Sequence, residues 1–288
     1  MQTWLWRHFR FELPEDWELL QYNRDSRQGR CAFADRYSFR FEFNWRVVPG
    51  PPDFGRMLSD YQALLETTQN LRNAKRERHG NWQGLSGTHG SASSSRYGRY
   101  YEEERCLLEA VFLWPDSRDT GSEAAILDSF RYSGDDPSGY QHWRAFGMDM
   151  HPPAGLELLQ ADIMPASADM CFGRPRSEDR VRFRRLGMVS NWLNKPLERW
   201  LRLQLPGRAH TVKHSRWSVR DHMLETLRGV YVPNFKLRRK RAYQLTGWQC
   251  PRDKRIYLVE TIAGRSTELA EQEPQRLLSC CESLGRDV

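Results

Sequence analysis

Most of the features that would announce a chemistry are missing from this chain of 288 residues. No apolar run approaches the ~20 residues that a membrane helix needs. The opening Met1-Gln2-Thr3-Trp4-Leu5-Trp6-Arg7-His8 has no apolar signal core, so export by that route is not expected and a cytoplasmic location is. There is no P-loop, dinucleotide fingerprint or His-Glu-x-x-His zinc motif. Ser86, in Gly84-Leu85-Ser86-Gly87, fails the Gly-x-Ser-x-Gly elbow. No catalytic residue, cofactor or metal ligand is therefore assigned, and the chain is expected not to be an enzyme. Cysteine is sparse and scattered. Cys31, Cys106, Cys171, Cys250, Cys280 and Cys281 form no Cys-x-x-Cys pair and have no zinc-finger spacing. Cys280 and Cys281 are adjacent, a poor geometry for bridging each other. The six read as reduced, mostly buried thiols.

Lysine is scarce too: only six of the 44 basic residues, the rest being arginine. Arginine suits bidentate contacts to carboxylate or phosphate, although genome composition gives the same bias. The formal net charge of +7 is unevenly placed. Residues 1–140 carry 18 basic and 21 acidic side chains, residues 141–288 carry 26 and 16, so the positive excess lies in the second part. The sharpest cluster is Lys236-Leu237-Arg238-Arg239-Lys240-Arg241. Alternation puts cations on both of its faces, the mark of a protected sheet edge or of a phosphate-gripping surface. Arg182, Arg184 and Arg185 join Arg238, Arg239, Lys240 and Arg241 as candidate polyanion- or partner-binding residues. His210 and His214 are four apart and His222 follows, but Pro206-Gly207 and the strand-like Trp217-Ser218-Val219 argue against the helix such a metal pair needs. Glu102-Glu103-Glu104 reads as a solvated edge.

With 39% hydrophobic and 12% aromatic residues the chain can fill packed cores, and its length suits two domains. A repeat supports that division. Trp6-Arg7-His8-Phe9 is echoed by Trp143-Arg144-Ala145-Phe146, and Trp17-Glu18-Leu19-Leu20 by Leu156-Glu157-Leu158-Leu159, with two extra residues in the second turn. Ser133-Gly134-Asp135-Asp136-Pro137-Ser138-Gly139 has linker composition. The expected organisation is a slightly acidic domain over residues 1–133, a linker over 134–140 and a basic domain over 141–288.

Phe9, Phe11 and Leu13 alternate with polar residues, as do Phe39, Phe41, Phe43, Trp45 and Val47, the cleanest strand pattern in the chain. Asp53 is a helix N-cap candidate. The stripe Phe54, Met57, Leu58, Tyr61, Leu64, Leu65, Thr68 and Leu71 predicts a helix lying on that aromatic sheet face. In the second part a phase slip near Arg184-Arg185 predicts a bulge, with the strand running on through Leu186, Met188, Ser190 and Trp192. A last helix is expected over Gln275 to Leu284, with Leu277, Cys281 and Leu284 inward.

This order, with Phe9-Arg10-Phe11-Glu12-Leu13-Pro14-Glu15-Asp16-Trp17-Glu18 opening and Ala125-Ile126-Leu127-Asp128-Ser129-Phe130 closing the first copy, resembles the PsbP/Mog-like superfamily, including the bacterial DcrB-like domains. The resemblance would cover two tandem copies. It implies an α+β fold, two similar tandem domains each with an antiparallel sheet covered by helices (an αβα sandwich). It also implies a non-enzymatic binding or adaptor protein working through protein–protein contacts. The expected partner is another protein with an acidic surface. The alternative is nucleic acid or another polyanion on the basic second domain. No membrane association is expected.

Overall fold

The computed structural model describes residues 1–134, 137, 139–233, 239–264 and 273–281. The chain divides into two compact units, Met1–Trp4 with Phe9–Ser133, and Leu5–His8 with Gly134–Val288. Strand β1 (Gln2–Trp6) is split by that grouping. The linker expected at 134–140 is described only at Gly134, Pro137, Gly139 and Tyr140.

The first unit contains β2 (Phe9–Leu13), β3 (Glu18–Tyr22), β4 (Gln28–Ala34), β5 (Phe39–Val47), α1 (Phe54–Thr68) and β6 (Arg72–His79). It continues with β7 (Trp82–His89), β8 (Ala92–Tyr101), β9 (Cys106–Trp114), α2 (Thr120–Ser129) and β10 (Arg131–Tyr132). Seven of the strands form one antiparallel sheet in the order β3-β4-β5-β9-β8-β7-β6. Alternation in β5 sends Phe41, Phe43 and Trp45 to one face, where all three are buried. That face is covered by Phe9 and Phe11 of β2 and by Phe130 beyond α2. Phe11 and Phe130 stack at 4.9 Å, and Phe9 meets Phe43 edge-on at 5.9 Å. Helix α1 starts where expected, with the Asp53 carboxylate accepting from the Arg56 N–H at 3.0 Å. Its partner differs from the expectation. Leu58 and Leu65 pack with Leu71 and Leu85, at the β6–β7 side of the sheet, and Leu64 is left 53% exposed.

The second unit contains β11 (Trp143–Ala145), β12 (Met148–Met150), β13 (Glu157–Met164), β14 (Ser167–Gly173), β15 (Arg180–Leu186), α3 (Val189–Trp192) and α4 (Leu197–Leu203). It continues with β16 (Ala209–Val219), β17 (His222–Tyr231), β18 (Arg241–Gln249), β19 (Ile256–Ala263), α5 (Pro274–Leu277) and β20 (Leu278–Ser279). Its large sheet has the order β13-β14-β15-β19-β18-β17-β16. This is the first unit's order, strand for strand. Leu201 of α4 packs with Leu227, Leu245 and Leu258 of that sheet. The short strands β11, β12 and β20 pair antiparallel in that sequence.

The α+β, αβα expectation is overturned. Strands make up 52% and helices 15% of the described residues, and the aromatic face in the first unit is covered by strand β2 and the Phe130 segment, with α2 beside them. A fold of this kind is predominantly β, which corrects the architecture implied by the PsbP-like resemblance. Helix α1 forms where its stripe marks it, but an i, i+3, i+4 apolar pattern does not fix which surface buries the stripe. The expected last helix stops at Leu277 and becomes strand at Leu278; Leu284 lies outside the described residues. No bulge occurs at Arg184-Arg185, where pairing to both neighbours is continuous. The chain instead leaves the strand at Leu186 and turns through Met188, φ 52°, into α3. Among the described residues no helix is long and apolar enough to cross a membrane.

Candidate metal centre

Strand β17 begins immediately after a two-residue turn, Arg220-Asp221, with Val219 opposite His222 across the hairpin. This fixes the His222 side chain at the inner end of the sheet, where it is fully buried. The β17–β18 register sets Glu225 opposite Gly247 and, carried to the strand end, brings Cys250 opposite His222. Cys250 opens the Pro251-Arg252-Asp253-Lys254 turn, closed by Cys250 N–H to Arg255 O at 2.9 Å and Lys254 N–H to Cys250 O at 3.0 Å. Lys254 takes the left-handed φ of 61° that closes this turn. The third element is β20, which lies along β12 with Ser279 opposite Asp149 and delivers Cys280 and Cys281 to the same point.

The four side chains converge. Nε2 of His222 is 3.2 Å from Cys280 Sγ and 3.6 Å from Cys281 Sγ, and the two sulfurs are 3.8 Å apart. Cys250 Sγ completes the group, with all four ligand atoms within 4.8 Å of one another. Bonds of about 2.3 Å to sulfur and about 2.0 Å to nitrogen at tetrahedral angles place ligand atoms roughly 3.5–3.8 Å apart. The 3.6 and 3.8 Å separations match that spacing and the 3.2 Å His222–Cys280 contact is slightly shorter; 3.8 Å is far too long for a disulfide, where sulfurs bond at about 2.0 Å. All cysteines among the described residues are free thiols.

The surroundings also suit a thiolate–metal site. Burial pushes the Cys250 thiol up, opposed by hydrogen bonds from the peptide N–H groups of Asp253 and Arg252. Burial likewise pushes Cys280 up, opposed by the Trp248 Nε1–H, which donates to its sulfur at 3.3 Å. N–H donors aimed at sulfur stabilise the anion that a metal needs. Nδ1 of His222 stands 2.7 Å from Asp221 Oδ1, close but not aligned as a hydrogen bond. A carboxylate behind a ligating imidazole is the usual outer partner that orients the ring.

The arginines singled out in the sequence are dispersed. Arg182 donates to both Asp169 oxygens, at 2.8 and 3.0 Å from Nε, and lies 3.8 Å from Glu260. Arg184 reaches Gln204 at 3.3 Å on one face of β15. Arg185, its neighbour, projects to the opposite face, beside Gly147 and Arg255. Arg241 is bound to Asp179, Arg239 and Lys240 are exposed, and Arg238 lies outside the described residues. The histidines separate as well: His210 is exposed and His214 pairs with Glu225 at 2.7 Å. Of that trio only His222 belongs to the centre. Sequence spacing missed the site because its ligands come from three elements. The available signals were the Cys250-Pro251 turn, the Cys280-Cys281 dyad and a histidine directly after a tight hairpin.

The first unit has one concentrated polar cluster. Arg118 donates to Glu77 at 2.8 and 2.7 Å and to Glu123 at 2.6 Å. Glu123, 2% exposed, also accepts from Ser95 and from Trp114 Nε1. The carboxylates are bound by neighbouring side chains, so this network reads as structural.

No protein-family model, curated protein or solved structure matches the chain.

Proposed function

We propose that the second unit binds one zinc ion through His222, Cys250, Cys280 and Cys281, and that this ion is a structural clamp. The observation that carries the reading is the convergence of one imidazole and three thiols at tetrahedral ligand spacing. Three sulfurs and one nitrogen favour zinc over hard cations. Four protein ligands leave no open position for substrate or activated water, the pattern of structural rather than catalytic zinc. The clamp would tie β20 to the ends of β17 and β18, joining segments far apart in sequence.

Metal analysis of the full chain, purified from zinc-supplemented medium and passed through gel filtration, tests this. One tightly held zinc per chain is expected. Cobalt exchanged into the site should give thiolate-to-cobalt charge transfer and tetrahedral ligand-field bands, both lost in Cys250→Ser. Protein that retains no zinc and gives no thiolate–cobalt bands would rule the site out.

A further inference from the structure

We propose a second metal site in the same unit, formed by His142, Asp149 and His151, that takes a divalent first-row transition ion and leaves coordination positions open to solvent. The sequence builds it by strand alternation. In the β11–β12 hairpin Trp143, Ala145, Met148 and Met150 are buried, so the neighbouring polar positions share the other face. Trp143 lies opposite Met150 and Arg144 opposite Asp149, and the same register sets His142 opposite His151. Asp149 and His151 are two residues apart and therefore project together. A carboxylate-x-imidazole pair on one strand and an imidazole on its neighbour bring three ligands to one point.

The side chains occupy that point. His142 Nε2 is 2.6 Å and His151 Nε2 3.3 Å from the same Asp149 oxygen. The two imidazoles stack with centroids 4.5 Å apart at 19°, so their Nε2 atoms lie side by side. All three ligand atoms fall within 4.8 Å of one another. Asp149 faces the exposed Arg144 across the hairpin, yet its ion contacts among the described residues are with the two imidazoles. Bonds of about 2.0–2.2 Å to nitrogen and oxygen need ligand atoms about 3–3.5 Å apart; the Asp149–His151 pair already stands at 3.3 Å, and the Asp149–His142 pair, hydrogen-bonded at 2.6 Å, opens to admit the ion. The scaffold is rigid: β12 is held between β11 and β20, and the His151 N–H donates to Leu277 O at 2.7 Å.

Two imidazoles and one carboxylate, partly exposed, suit imidazole-binding transition ions and leave room for water or a small ligand. This separates the site from the thiolate centre, whose four ligands close it. The inference shares no ligand with that reading, and each can fail without the other.

Calorimetric titration of the full chain with zinc, after the thiolate centre has been filled, reads the second site. The wild type should take up one further equivalent. His142→Ala and Asp149→Asn should lose it while keeping the tightly held zinc and an unchanged far-ultraviolet spectrum. Asp149→Asn preserves shape, so a folding defect in the alanine variant would not mask the answer. His210→Ala, an exposed histidine elsewhere, should behave as wild type. No further equivalent in the wild type, or uptake that persists in Asp149→Asn, would overturn the proposal.

Discussion

Arg118 binds two carboxylates at once, and its removal exposes what each costs. Glu77 and Glu123 both lie within 2.7 Å of its guanidinium, and their side chains are 19% and 2% exposed. Breaking a buried ion pair from one side leaves an uncompensated charge, at a cost of about 3–5 kcal/mol. Arg118→Met should lose stability on that scale in urea unfolding. The same network predicts an acid sensitivity. Hydrogen bonds from Arg118, acting against burial and aided by Ser86 and Tyr97, hold the Glu77 carboxyl down to about 2, below its ordinary 4.5. A carboxyl lowered by folding contributes stability that is fully present above its unfolded pKa and lost as pH falls through the folded one. The first unit should therefore weaken between pH 4.5 and about 2, and Glu77→Gln should flatten that part of its stability–pH curve. None of this was legible in the sequence. Local pattern draws attention to Glu102-Glu103-Glu104, whereas Glu77, Arg118 and Glu123 come from β6, the segment after β9 and α2. Only the folded register unites them.

Among elements, strand β5 was readable with its apolar face, and helix α1 with its N-cap but not its partner. Strict alternation from Phe39 to Val47 fixes both the strand and its apolar face. The α1 stripe shows that one side of the helix is buried but not which surface buries it. Two variants distinguish the expected partner from the observed one. Phe11, fully buried against Phe33, Phe43 and Phe130, should cost about 3–5 kcal/mol as Phe11→Ala. Leu64, in the sequence stripe but 53% exposed, should cost less than about 0.5 kcal/mol as Leu64→Ala. Equilibrium unfolding of the two variants checks both numbers; the reverse order would restore α1 to the aromatic face. At the chain end, Leu277, Cys281 and Leu284 satisfy a helical period, yet Leu278 pairs with Met150 as strand. Periodicity cannot tell a sulfur packed in a core from one aimed at a metal, because a thiol serves in both settings.

At the scale of the molecule, the two large sheets share one strand order, and the units diverge where the imidazole–thiol cluster stands. The sequence repeat was visible but was set in the wrong register. Left-handed turn residues Arg7, φ 59°, and Phe146, φ 52°, align Trp4 with Trp143 and Pro14 with Pro153. The Trp-Arg-x-Phe echo had matched Trp6 to Trp143, and with the structural alignment the two extra residues are no longer needed. The same reasoning equates Trp82 with His222, since each follows a two-residue turn, with His79 and Val219 as their respective partners. Trp82 fills its corner as an apolar side chain, 2% exposed and edge-on to Phe130 at 5.3 Å. One unit thus closes this corner by aromatic packing, and the other brings thiols and an imidazole to it. If zinc replaces packing there, stripping it should be felt in one unit only. Hydrogen exchange on the full chain, with and without a strong chelator, should show protection lost at β17, β18 and β20. Protection at β4, β5 and β9 should be unchanged. In Cys250→Ser the same amides should be unprotected from the start and insensitive to chelator. Loss of protection spread equally over both large sheets would mean that the ion does not act as a clamp on the second unit.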